Sequence, residues 1–505
     1  MSFDSIAYQQ NLQVVKDFAP TQLWQWFARI CATPHPSHHE EALANDIVQW
    51  ATEQGLSARR DAVGNVIIQK NASKGYENRA SIALQAHLDM VPQANADTVH
   101  DFERDPIRLR LRADDDAWLM ATGTTLGADN GIGMASCLAV LADDTLAHPK
   151  LEVLLTMTEE TGMFGVFGLQ AGELTSKIMI NTDTEEIGEI YVGCAGGIDA
   201  DVALPLVWRD NAFDSSIDLT IKGLRGGHSG LDIDKNRGNA IKLLGVVLAQ
   251  LADKFANQFA ISHIQGGTLR NAIPREAGVI ISCHADRQDE LIAAINDALA
   301  QLTVQLQTTE PDFVGKVQST ANPARTLDDA STAQVIRLIN ALPSGVVQHS
   351  QVLADTVETS LSLGLLKIDE SQLLGVLLVR SLIESQKQAI CQTLQQITSD
   401  MGASVAFSGD YVGWNPDTDS AIVSLTSQLY AKILGDEPQI KSIHAGLECG
   451  LIKQSHPDMD IVSIGPTIKN AHSPDEMVNI ASVGVYWQLL TEILANAPVK
   501  SDHQA

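Results

Sequence analysis

The chain has 505 residues, of which 45% are hydrophobic, 5% aromatic and 19% charged, an ordinary globular composition with length for two domains. Asp and Glu (62) outnumber Lys and Arg (34), giving a net charge of -28, so the surface repels phosphate backbones and anionic headgroups, and neither nucleic acid nor a membrane is an expected partner. The opening MSFDSIAYQQNLQVVKDF is amphipathic without an apolar signal core, no run of 18 apolar residues occurs, and the cysteines (31, 137, 194, 283, 391 and 449) lie far apart without C-x-x-C. A cytoplasmic protein with buried thiols is expected, with neither a disulfide framework nor a cysteine zinc cage.

From Thr21 to about Asp183, amphipathic helical stretches alternate with short apolar runs at 81–86, 151–156 and 177–180, as expected for helices covering a largely parallel sheet. From about Ser216 the order becomes strand (IDLTI), Gly-rich turn, helix (NAIKLLGVVLAQLADKF), two strands (QFAISHI, GVIISCHA) and helix (ELIAAINDALAQL), the pattern of an open α+β sandwich with helices on one face. Strands at ETSLSLGLL and LLGVLLVRS and the helix ESQKQAICQTLQQI follow, and then SVAFSG, MDIVSIG and a last helix near 481–495 resume the α/β style. The expected organisation is an α/β domain formed by residues 1–196 and 399–505, interrupted by an inserted α+β domain at 197–398.

The polar residues that could do chemistry recur at strand ends. The run at 81–86 leads into His87-Leu88-Asp89, that at 151–156 into Glu159 and Glu160, and that at 177–180 into Asp183. Carboxyl ends of strands in an open α/β sheet form its ligand crevice, so these side chains are expected at one edge. Each has a plainer reading: a surface His–Asp pair, and a solvated Glu-Glu turn. Asp129, at a Gly-rich helix entry, fits a helix N-cap as well as a ligand, and His472, beside Ser-Pro, fits a turn. Taken together at one edge, imidazole and carboxylates suit a divalent metal, with one of the adjacent glutamates bound to it and the other left as a base.

The segments HLDMV at 87, GTTLGADNGIG at 123, TMTEETGM at 156, INTDTEE at 180, GLRGGHSG at 223, GGTLRNAIPREA at 266, HAGLECG at 444 and GPT with HSPDE from 465 together resemble the di-zinc metallopeptidase family of carnosinases, aminoacylases and glutamate-releasing carboxypeptidases, in order along nearly the whole chain. The resemblance implies two Zn²⁺ per subunit, with Co²⁺ or Mn²⁺ as possible working metals. One would be held by His87 and Asp183 and the other by Glu160 and His472, with Asp129 bridging and the Asp129–Asn130 peptide cis. Asp89 would orient His87, and Glu159 would be the general base for a zinc-bridged hydroxide. The inserted domain would act as lid and dimer interface. From it His228 would donate to the oxyanion in the partner subunit's cleft, and Asn271 and Arg380 would hold the substrate carboxylate. His444, with Glu448, would lie close to the substrate or behind the ligands. The implied activity is hydrolysis of dipeptides with broad tolerance and a preference for Xaa-His, including β-alanyl-histidine; the alternative is an N-acyl amino acid deacylase or carboxypeptidase with the same metals.

Competing motifs fail on spacing. Gly127, Gly131 and Gly133 do not match the dinucleotide fingerprint, and Gly227-His228-Ser229-Gly230 is not a nucleophile elbow because position 231 is Leu. His35, His38 and His39 look like a metal cluster, but Ser37 and Glu40 at capping-box spacing predict the start of a helix running to Gly55. Asp114–Asp116 reads as a solvated turn. An inactive metal-binding scaffold has no use for a free Glu159.

Overall fold

The computed structural model describes residues 3–95, 97–417 and 420–500. They form two compact units. One comprises the chain up to residue 193 with 416–442 and 448 onward; the other is 194–415 with 443–447.

The first unit is built on an eight-stranded sheet whose centre is parallel: Leu151–Thr156, Ile82–His87, Ile178–Asn181 and Asp460–Ser463 lie side by side. Ile82–His87 and Leu151–Thr156 are buried along their whole length, as apolar strands covered on both faces must be. Register places His87 opposite Thr156 and Gln85 opposite Asn181, so the residues that follow these strands leave from one edge. Helix Ala128–Ala142 packs on Ile82–His87 and against helix Thr21–Cys31, which buries Leu23, Trp24, Phe27 and Ile30 along one stripe. A small four-stranded sheet joins the hairpin of Ile468–Lys469 and Met477–Asn479 to Trp118–Ala121. It anchors the loop that carries His472.

The second unit is a nine-stranded antiparallel sheet, with helices Ala240–Phe255, Gln288–Leu306 and Glu384–Asp400 packed on it. Its core includes Ile217, Leu219, Ile241, Leu244, Val279, Ile281, Leu363 and Leu377. Helix Ala240–Phe255 starts at Asn239, whose side chain accepts the N–H groups of Ile241 and Lys242. The expected return to the first domain at residue 399 is too early. Strand Ser404–Tyr411 pairs antiparallel with Gly196–Pro205 in the second sheet, and the unit closes only after residue 415. Composition could not separate that strand from the strands of the first sheet. Helices Asp329–Ala341 and Ala421–Leu434 add to the elements expected from the sequence.

Candidate metal centre

The strand ends and loops of the first unit converge on Asp129. His87 Nε2 lies 3.2 Å from Asp129 Oδ1 and 3.5 Å from Asp183 Oδ1. His472 Nε2 lies 3.1 Å from Asp129 Oδ2 and 3.1 Å from Glu160 Oε2. Each oxygen of Asp129 therefore faces one imidazole, and the Nε2 of each imidazole faces one further carboxylate. Three groups, His87/Asp129/Asp183, Asp129/Glu160/His472 and His87/Glu159/Glu160, each offer ligand atoms lying within 4.8 Å of one another.

Local structure explains how a helix entry places Asp129 there. The backbone at Asp129 (φ -84°, ψ 109°) is not helical, and its peptide bond to Asn130 is cis. Asp129 is not the helix cap. That task falls to Glu476, whose Oε2 accepts the N–H groups of Leu126 and Gly127 at 2.7 and 2.9 Å, and whose Oε1 accepts those of Ala128 and Asp129 at 2.8 and 3.3 Å. A carboxylate at a helix N-terminus is favourable, and this one frees the Asp129 side chain. The glycine-rich sequence has a packing cause: a Cβ on Gly133 would stand 1.9 Å from Asn130 Oδ1 and 2.3 Å from Thr182 Oγ1.

Asp89 supports both sides of the cluster. His87 Nδ1 lies 3.0 Å from the Asp89 carbonyl oxygen and 3.4 Å from its Oδ1, which leaves Nε2 directed at Asp129. The same carboxylate accepts the backbone N–H of Glu159 on Oδ1 at 2.8 Å and that of Glu160 on Oδ2 at 3.1 Å, and Ser37 Oγ donates to Oδ2 at 2.7 Å. Ser37 and Glu40 thus form no capping box. Helix Glu41–Glu53 has no side-chain cap; Ser37 is committed to Asp89 and Glu40 to Thr158, because both are buried where polar partners are needed more than a helix end needs a cap.

The electrostatics are those of crowded carboxylates out of water. Burial raises Glu159 well above the usual carboxylate range, Glu160 to about 7 and Asp183 to about 6. Burial pulls His472 down, but its bonds to Asp129 and Glu160 outweigh this and raise it to about 11. Glu160 Oε1 is buried without a hydrogen-bond partner among the described residues. An imidazole-and-carboxylate donor set with an orphaned buried oxygen fits divalent cations better than protons alone.

The other predicted site residues lie in the second unit. His228, on the short strand Gly227–His228, pairs with Ala272, and Ser229 N donates to the Asn271 carbonyl at 2.8 Å. Arg380 Nη2 approaches His228 Nε2 at 3.4 Å while its Nη1 donates to Tyr411 Oη at 2.8 Å. His444 Nε2 is 2.7 Å from Ser360 Oγ, the residue paired with Arg380 across the sheet. Burial and then the Arg380 charge pull His444 down to about 3. Glu448 belongs to the first unit, where its Oε2 accepts from Gln85 and Thr156 at 2.6 Å each. Sequence does not mark Ser37, Glu40 and Glu476 as parts of the site: the first two have capping-box spacing, and Glu476 closes the HSPDE segment without a role of its own.

Residues 83–496 match the model of the peptidase family M20/M25/M40. The chain belongs to that family. It is 49% identical to the cytosol non-specific dipeptidase of Escherichia coli (strain K12), over 96% of this chain and 99% of that one. Among solved structures, aminoacylhistidine dipeptidase from Vibrio alginolyticus superposes with a TM-score of 0.86 at 47% identity, covering 96% of this chain and 99% of that one. Aminopeptidase PepT from Bacillus cereus, at 15% identity and a TM-score of 0.54 over 95% and 99% of the two chains, shares the fold. As an M20 metallopeptidase the protein is a peptide-bond hydrolase, and among the described residues no helix is long and apolar enough to cross a membrane.

Proposed function

We propose that this M20 peptidase is a cytoplasmic, metal-dependent dipeptidase of broad specificity that prefers Xaa-His, β-alanyl-histidine included. The single observation that carries the reading is Asp129, which presents one carboxylate oxygen to each of two imidazoles, beside a half-buried glutamate pair whose backbone N–H groups Asp89 accepts. The names of the Escherichia coli and Vibrio relatives support the substrate class. His87 and Asp183 would hold one Zn²⁺, Glu160 and His472 the other, and Asp129 both. When bound, such ions supply Lewis acidity, making water acidic enough to ionise near neutral pH and polarising the scissile carbonyl.

The chain's own residues carry the remaining steps. The Glu159 carboxylate takes the proton of the attacking water and returns it to the leaving nitrogen, so that an amine and not an amide anion departs. Asp89 fixes the peptide on which Glu159 and Glu160 sit and, through its carbonyl oxygen, the orientation of His87. His228 of the lid donates a hydrogen bond to the developing oxyanion in the partner subunit's cleft. Asn271 and Arg380 bind the substrate carboxylate, a task suited to a planar guanidinium. The active form is a homodimer through the second unit.

A kinetic panel of Xaa-His and other dipeptides, N-acyl amino acids and tripeptides, run on metal-depleted protein with Zn²⁺, Co²⁺ or Mn²⁺ restored, tests this reading. Activity confined to dipeptides and dependent on metal is expected. Turnover of N-acyl amino acids or tripeptides with dipeptides untouched would overturn it.

A further inference from the structure

Three consecutive backbone N–H groups, those of Thr158, Glu159 and Glu160, are taken up by two carboxylates. Asp89 accepts the second and third. The first belongs to Glu40, whose Oε1 accepts both the Thr158 N–H and the Thr158 hydroxyl at 2.8 Å each. Thr158 has a φ of +53°, a conformation that a β-branched residue adopts only where its surroundings hold it. Glu40 supplies that hold from the turn before helix Glu41–Glu53, with no exposure to solvent. Three residues earlier, Ser37 donates to Asp89 Oδ2, so one short segment steadies both carboxylates.

We infer that Glu40 is a positioning residue for Glu159, fixing the left-handed turn at Thr158 from which the base is presented. The inference rests on the proposed role of Glu159. Packing alone does not account for a carboxylate here: its Oε2 is buried without a hydrogen-bond partner among the described residues, an unfavourable state that an apolar side chain would avoid. Glu159 directly follows the turn that Glu40 fixes, whereas Glu160 lies one residue further on and its side chain is also engaged by His472 at 3.1 Å. Loss of Glu40 should therefore displace the base while sparing the metals.

The test is a double-mutant cycle on the metal-loaded protein, reading kcat, KM and metal content for dipeptide hydrolysis. Glu40→Ala is expected to lower kcat by about 10- to 100-fold, the scale of a misplaced catalytic group, with KM within about twofold and metal retained. Glu40→Gln keeps a carbonyl acceptor and should recover most of the turnover. Because Glu40 acts through Glu159, adding Glu40→Ala to Glu159→Gln should cost less than about threefold more. Independently of turnover, amide exchange of the 157–160 segment in metal-free protein should be faster in Glu40→Ala than in wild type. If Glu40→Ala does not fold, Thr158→Ala, which removes the hydroxyl donor and the γ-methyl but keeps the backbone N–H bonded to Glu40, should give a smaller loss confined to kcat. Equal losses in both backgrounds, loss of metal along with kcat, or unchanged kcat in Glu40→Ala or Thr158→Ala would overturn the inference alone. Wild-type turnover by Glu159→Gln would instead refute the base assignment on which it stands.

Discussion

Asp89 Oδ1 accepts the backbone N–H of Glu159 at 2.8 Å, which couples a strand-end aspartate to a glutamate 70 residues away. Its other oxygen holds Glu160, and its carbonyl faces His87. One residue thus orients a proposed base and two proposed ligands. Asp89→Ala should lower metal affinity and turnover together, each by about 10- to 100-fold. Calorimetric metal titration beside kcat measures both; loss of turnover at full affinity would restrict Asp89 to the base.

Glu476 predicts a stability effect. Its buried carboxylate accepts four backbone N–H groups at the entry to helix Ala128–Ala142. Glu476→Ala leaves those donors unsatisfied and should destabilise the protein by about 3 kcal/mol or more. Denaturant unfolding of metal-free protein reads this. A change below about 1 kcal/mol would mean that water replaces the carboxylate.

The sequence made the strand-end carboxylates legible because periodicity places strands, and strand ends in a parallel sheet share an edge. It did not reveal what holds them. Ser37 and Glu40 have capping-box spacing, yet their partners, Asp89 and Thr158, are 52 and 118 residues distant, and local pattern carries no information about such pairs. Asp129 on its own reads first as a helix cap, and it is Glu476, 347 residues away at the helix entry, that takes this task and leaves the Asp129 carboxylate to the imidazoles. The strand Ser404–Tyr411 was visible as a strand, but its sheet was not, since pairing with Gly196–Pro205 leaves no trace in composition.

His444 gives the fold a pH dependence. Its folded pKa of about 3 lies below the value of about 6.5 for an unperturbed histidine, with Arg380 and His228 adding positive charge to the effect of burial. Between these values the unfolded chain binds a proton that the folded chain does not. The contribution of this group is therefore complete above about pH 6.5 and is lost as pH falls toward 3. The urea midpoint should drop between about pH 7.5 and 5 more steeply in wild type than in His444→Gln. Parallel slopes would contradict the assignment.

The proposed shared site predicts complementation. His228→Ala should lose about 10² to 10³ in turnover with its metal retained. Mixed with Glu159→Gln under conditions of verified subunit exchange, it should regain activity, because one cleft of the heterodimer keeps its own Glu159 and receives an intact His228 from the other chain. No recovery would place His228 within its own cleft or outside catalysis.

The two adjacent glutamates are proposed to divide the work of base and ligand, and paired measurement of metal content and turnover in Glu159→Gln and Glu160→Gln separates the two roles. Glu159→Gln should retain both metals while turnover falls by about 10² to 10⁴, and Glu160→Gln should lose metal. Equal metal loss in the two variants, or metal loss only in Glu159→Gln, would contradict this division.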